Sequence, residues 1–146
     1  MRFRHKLTIP TVVLPLALLF APRAHAQIMD EVFATIHHPF IVGNATLPQG
    51  RYVFQTVPND QLQVMTVRNT KNSDISAEFL VRRSIDAHAP RHTDLIFNKY
   101  GNKWFLLHIY ESGEKSGVTV LATSREESRL QKQGQDPTQE TEEQSE

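Results

Sequence analysis

The residues of this 146-residue chain best suited to chemistry are its histidines, five of which lie beyond the first 26 positions: His37, His38, His88, His92 and His108. An imidazole titrates near neutral pH and ligates transition metals, so a histidine-rich chain raises metal binding or proton transfer. His88 and His92 have the spacing that would place two ligands on one helical face, but Pro90 lies between them and assigns the stretch to a loop. They remain the candidate metal ligands, in some folded combination rather than on a helix. His37 and His38 are neighbours in an extended segment and are expected to point to opposite faces, which keeps them from sharing one ion.

Two further groups could bind rather than react. Arg82, Arg83 and Arg91 gather beside His88 and His92, where guanidinium forks could hold a carboxylate, phosphate or sulfate; a solvated loop balanced by Asp86 and Asp94 is the plainer reading. Trp104 and Tyr110, with Tyr52, could form an aromatic sheet face for a partner. Support for hydrolysis is thinner. There is no cysteine and no Gly-x-Ser-x-Gly elbow, the serines at 84, 112 and 116 sit in ordinary loop contexts, and the carboxylate pairs Asp30-Glu31 and Glu126-Glu127 are adjacent rather than aimed at one point. With no glycine-rich phosphate loop either, the expectation is a non-enzymatic protein that uses no cofactor.

These groups must be positioned by strands, because apolar residues recur with period two. In residues 75–81, Ile75, Ala77, Phe79 and Val81 fall on one face; in residues 32–37, Val32, Ala34 and Ile36 do. Residues 51–57 and 62–68 are rich in the branched and aromatic side chains that suit a pleated surface. Turn signals separate them: Leu47-Pro48-Gln49-Gly50, Pro58-Asn59-Asp60 and the run 69–74. Gly101-Asn102 predicts a tight hairpin joining residues 95–100 to 103–110.

That second strand is apolar on both sides. Phe105, Leu107 and Ile109 alternate with Trp104, Leu106, His108 and Tyr110, which fits a central strand covered by an opposing sheet on one side and a terminal helix on the other. A short strand is expected at 118–121, and Ser124-Arg125-Glu126-Glu127 fits a capping box opening a helix to about residue 131, with Leu130 as its apolar contact. The predicted fold is therefore mainly β: an antiparallel sandwich or small barrel of six to eight strands with one short C-terminal helix.

The ends of the chain set its context. Residues 1–26 read as an export signal: Arg2, Arg4 and Lys6, then the apolar run 7–20, then Ala24-His25-Ala26 before Gln27. The run is too short for a membrane anchor and carries Pro10 and Pro15, so cleavage before Gln27 is expected, with no membrane span afterwards and a periplasmic or extracellular location. Removing it takes four of the 16 basic residues and none of the 16 acidic ones, leaving a net charge of −4. That surplus sits in residues 131–146, which lack aromatic and aliphatic side chains and are expected to be a disordered acidic tail. Residues 27–130 form one domain, balanced in charge, which speaks against nucleic acid as a partner. With no cysteine, no disulfide can staple it.

The segment PFIVGNATLPQGRYVF at 39–54, LIFNKYGNKWFLLHIY at 95–110 and the stretch 123–130 together resemble a family of small exported proteins of unknown function from soil bacteria. The resemblance covers about residues 32–130 and rests on structural motifs. It implies a bacterial origin, and so the periplasm or the outside of the cell, and it brings no activity, catalytic residue or cofactor. The residues themselves give the expectation of an exported domain that binds a protein or cell-envelope component through an aromatic face of Trp104, Tyr110 and Tyr52, with a histidine-dependent metal-binding protein as the alternative. Gln49, where alanine is frequent, and the longer acidic tail depart from the family pattern.

Overall fold

The computed structural model describes residues 31–57, 63–121 and 123–144; the segment read as an export signal and the turn expected at 58–60 lie outside them. The described chain is mainly β, with ten strands and one short helix: β1 Glu31–Ile36, β2 Phe40–Val42, β3 Ala45–Leu47, β4 Gly50–Val57, β5 Val64–Asn69, β6 Ser76–Ile85, β7 Thr93–Tyr100, β8 Lys103–Tyr110, β9 Ser116–Val120, α1 Arg125–Lys132 and β10 Thr138–Gln144. Ten strands exceed the six to eight expected. One addition is the hairpin β2–β3, which turns at Gly43-Asn44 with a positive φ of 56° at the glycine. The predicted hairpin β7–β8 turns the same way at Gly101-Asn102, with φ 59°. A left-handed first position requires glycine, and its twist matches that of the paired strands.

The other addition is β10, and it corrects the expectation of a disordered tail. Thr138–Gln144 pairs antiparallel with β7 along seven residues, from Thr138 opposite Lys99 to Gln144 opposite Thr93. Composition misleads here because an edge strand can be held by backbone bonds and polar anchors without burying apolar side chains of its own.

Neighbouring strands follow one another as β1-β4-β5-β6-β9-β8-β7-β10, with β2–β3 attached to β8 through the parallel pair Ile41 and Phe105. β6 makes the corner. Its first half, residues 76–80, pairs with β5, and its second half, residues 81–85, pairs with β9. The chain of strands curls around one core that takes Phe54, Met65 and Val67 from one sheet and Leu95, Phe97, Ile109 and Val118 from the other. It is not a closed barrel, because β10 and β1 lie side by side without a backbone ladder.

A β-bulge explains why β8 is apolar on both sides. The register passes from Ile96–His108 to Phe97–Leu106, so Leu107 is the extra residue and the strand changes face there. Trp104 and Leu106 before the bulge and Ile109 after it turn to the main core, while Phe105 joins Ile41, Tyr100 and Leu130 of α1 in a second cluster. Coverage by sheet on one side and helix on the other is as expected. α1 begins at Ser124, whose Oγ accepts from Glu127 N at 2.9 Å, and the Glu127 carboxylate accepts from Asn98 Nδ2 at 3.0 Å.

Candidate functional site

The place where the ring of strands fails to close gathers most of the polar chemistry. Along β10, Glu140 stands opposite Phe97 and Glu142 opposite Leu95, both core residues, so alternate side chains of this edge strand point toward the interior at its open margin. Inward-pointing charges on an edge strand keep it from pairing with strangers, provided they find partners at home. Here they do. Glu142 Oε1 accepts from the backbone N–H of His37 at 3.1 Å and lies 2.5 Å from His37 Nδ1, while Oε2 faces His38 Nε2 at 3.2 Å without the alignment of a hydrogen bond. Gln144 Oε1 accepts from Thr35 N at 2.6 Å, and Glu140 approaches Lys99 Nζ at 3.7 Å.

Aromatic packing fixes the histidine side of this clasp. His38 stacks on Trp104 with ring centroids 3.7 Å apart and meets Phe97 edge-on at 5.1 Å. Lys99 Nζ sits 4.5 Å from the Trp104 ring centre, within cation–π range. His37 and His38, expected to diverge, therefore meet one carboxylate, each taking one oxygen. The reason is that β1 ends at Ile36 and the chain bends over residues 37–38, so the alternation of an extended strand no longer applies.

Farther along the seam, β1 and β10 border a cleft of about 430 Å3. Its walls carry Phe33 and Thr35 of β1, Arg51 of β4, Gln144 of β10, and the hydroxyls of Thr93 and Ser112. Phe33 is 49% exposed, and the Arg51 guanidinium lies 5.7 Å from the centre of its ring. Among the described residues no carboxylate pairs with Arg51. Thr35 N donates to a β10 side chain, so by strand alternation the backbone of Phe33 also faces the open edge and not β4.

A second polar group lies on the outward face of β6, β9, β8 and β7, where Arg82, Thr119 and His108 stand in successive register. Burial and the Arg82 charge lower the His108 pKa against the opposing pull of Asp86, and His108 Nδ1 is 2.8 Å from Thr119 Oγ1. Asp94 is pushed above its ordinary range by burial and by Glu143, offset by His92. Thr119 is itself buried, so this pair ties two strands together and offers no open nucleophile.

The residues singled out in the sequence fare unevenly. Tyr52 and Tyr110 are not free for binding: Tyr52 is fully buried with its hydroxyl donating to Pro48 O at 2.6 Å, and Tyr110 is buried with its ring against Gly117. Trp104 is half-buried under His38, so the three aromatics form no exposed face. Arg82 and Arg83 are exposed neighbours on β6 and point to opposite faces, which prevents them from clamping one anion together. Arg91, His88 and His92 lie in the exposed β6–β7 loop, which is pinned by Ser112 Oγ donating to Arg91 O and Gly113 N donating to Pro90 O. Among the described residues no three histidine, aspartate or glutamate side chains converge as a metal site, so His88 and His92 lack a third ligand.

Sequence reasoning missed Phe33, Arg51 and Glu142. A signal existed for the first: Phe33 breaks the apolar face of Val32, Ala34 and Ile36, standing on the side meant for solvent. No helix among the described residues is long and apolar enough to cross a membrane. No family model, curated protein or solved structure matches this chain.

Proposed function

We propose that this is an exported, non-enzymatic β domain that binds a protein or another component of the cell envelope, and that it receives this partner at the cleft beside Phe33 and Arg51. One observation carries the reading: an arginine that pairs with no carboxylate among the described residues lies over a half-exposed phenylalanine, next to a strand edge that has no backbone partner among them either. Aromatic and arginine side chains dominate the energetics of interfaces, because each offers a large contact area with a directional polar component. Thr93, Ser112 and Gln144 complete the walls around that pair. Export rests on the basic start, apolar run and small-residue site of residues 1–26.

Photo-crosslinking tests this directly. The full chain, with its own first 26 residues, is produced in a bacterial host with benzoylphenylalanine in place of Phe33 or, as a control on the outer face of β6, Glu78. The expected result is a periplasmic protein beginning at Gln27 that gives a discrete adduct from position 33, lost when Arg51→Glu is added. Equal adducts from both positions, or none from position 33, would overturn the proposal.

A further inference from the structure

The strand that borders the cleft is unlike every other strand in the fold. β10, Thr-Gln-Glu-Thr-Glu-Glu-Gln, has no apolar side chain, yet it occupies the edge of β7 from Thr93 to Lys99. Beyond its backbone ladder it is held at three alternate positions: Glu140 at Lys99, Glu142 at His37 and His38, and Gln144 at the backbone N–H of Thr35. None of these anchors removes much apolar surface from water, which is the dominant source of strand stability elsewhere in the fold. Residues 133–137, Gln-Gly-Gln-Asp-Pro, join it to α1 through Gly134 at φ 76°, a link with no side chain in either apolar cluster.

From this we infer that β10 is an internal occupant of a strand-acceptor groove, and that the groove takes an extended acidic segment of the partner in its place. The inference rests on the reading of the seam as the binding region and names what that region recognises. Release of β10 would leave the β7 edge unpaired and would strip Lys99, His37 and His38 of the carboxylates they meet now. The Lys99 ammonium and the ring nitrogens of His37 and His38, met by carboxylates two residues apart on one strand, select a peptide with carboxylates at every second position, since such side chains share one face. Backbone bonds to β7 would supply affinity that does not depend on sequence, as in other cases of β-strand addition. β10 shows the chemistry that fits, with Glu140 and Glu142 spaced by two.

A tethered strand competes with a free one at an effective concentration in the millimolar range, so the intact protein should bind such a peptide weakly. The probe is a fluorescein-labelled peptide of residues 137–144, added to the full mature chain as wild type and as the Glu140→Lys, Glu142→Lys double variant. The variant should bind at least tenfold more tightly than wild type, and a peptide with lysine for its three glutamates should not bind. Because the double variant could fold poorly, hydrogen exchange on the wild type supplies a second measurement: the β10 amides should exchange at least a hundredfold faster than those of β4. Equal peptide affinity for the two proteins, β10 protection equal to that of β4, or dimers formed by exchange of β10 between copies would each overturn the inference. If the peptide fails while the Phe33 crosslink persists, the cleft binds its partner with β10 in place; loss of both removes the binding reading itself.

Discussion

The ring of strands has two junctions between its sheets, and they are made of opposite materials. At β6 a single ten-residue strand carries the chain around the corner, bonding to β5 with one half and to β9 with the other, while Phe79 and Val81 sit in the core beneath it. At the seam, β10 meets β1 and the two residues after it through a glutamine on an amide and a glutamate on two histidines. Both junctions complete the same enclosure. Continuous backbone over buried hydrocarbon makes the first cooperative with global unfolding, whereas side-chain bonds at a solvent margin can open locally at much smaller cost. The proposed partner would therefore enter at the seam, where opening costs least, and not at the corner.

The largest break in this contrast should come from the corner. Phe79→Ala removes a buried ring there and should cost about 3–5 kcal/mol, read as a lower urea midpoint with an unchanged slope. If the loss is under about 1 kcal/mol, the corner is not the rigid junction. Next comes Gly117→Ala on β9, where an added Cβ would stand 2.3 Å from Ile109 O and 2.4 Å from Tyr110 Cδ1. Backbone and a buried ring both have to yield, and overpacking of this kind costs about 1–3 kcal/mol. Thermal unfolding of the variant measures it. An unchanged midpoint would mean that β8 and β9 can separate freely, contrary to their pairing through His108–Thr119 to Tyr110–Gly117.

The two junctions also differ in how well they could be read from sequence. The first half of the corner strand is legible because Ile75, Ala77, Phe79 and Val81 alternate, and burial of one sheet face imposes that period; its second half, residues 82–85, reads as loop from its charges but continues the strand onto β9. The hairpin at Gly101-Asn102 was equally plain, while its counterpart at Gly43-Asn44 was overlooked for being flanked by strands of three residues. At the seam no such pattern exists. β10 carries no hydrophobic alternation, and the pairing of Glu142 with His37 spans 105 residues, so nothing local announces it. Tyr52 and Tyr110 illustrate the converse error, because an aromatic on a strand reads identically whether it faces a partner or its own core.

Opening the seam should cost less than either core change. Glu142→Gln keeps the shape of the side chain and removes its charge, and the pair with His38 is only partly shielded, so global stability should fall by about 1 kcal/mol or less. The local effect should be larger than the global one: β10 amides should lose protection while those of β4 and β5 do not. Parallel loss of protection in all three strands would show that the seam and the core unfold together, which would erase the contrast between the junctions.

The smallest effect is a test of pH away from the seam. Burial and Arg82 hold the folded pKa of His108 below its unfolded value, so between the two values the unfolded chain binds more protons than the native one. Stability from this residue is therefore fully present above the ordinary histidine range and declines as pH falls through it. Asp94 acts in the opposite sense and lower on the scale: its pKa is raised in the fold, so its cost to stability grows as pH climbs past the ordinary aspartate range and is complete above the folded value. Urea midpoints from pH 8 down to 5.5 isolate the first effect when wild type is compared with His108→Gln, whose amide can still bond to Thr119. The variant should show the shallower fall with decreasing pH, because every other group is common to both proteins and cancels in the difference. Identical slopes would mean that His108 gains its proton as readily in the fold as outside it, and that the outward face of β8 is open to water rather than sealed by its own cross-strand bonds.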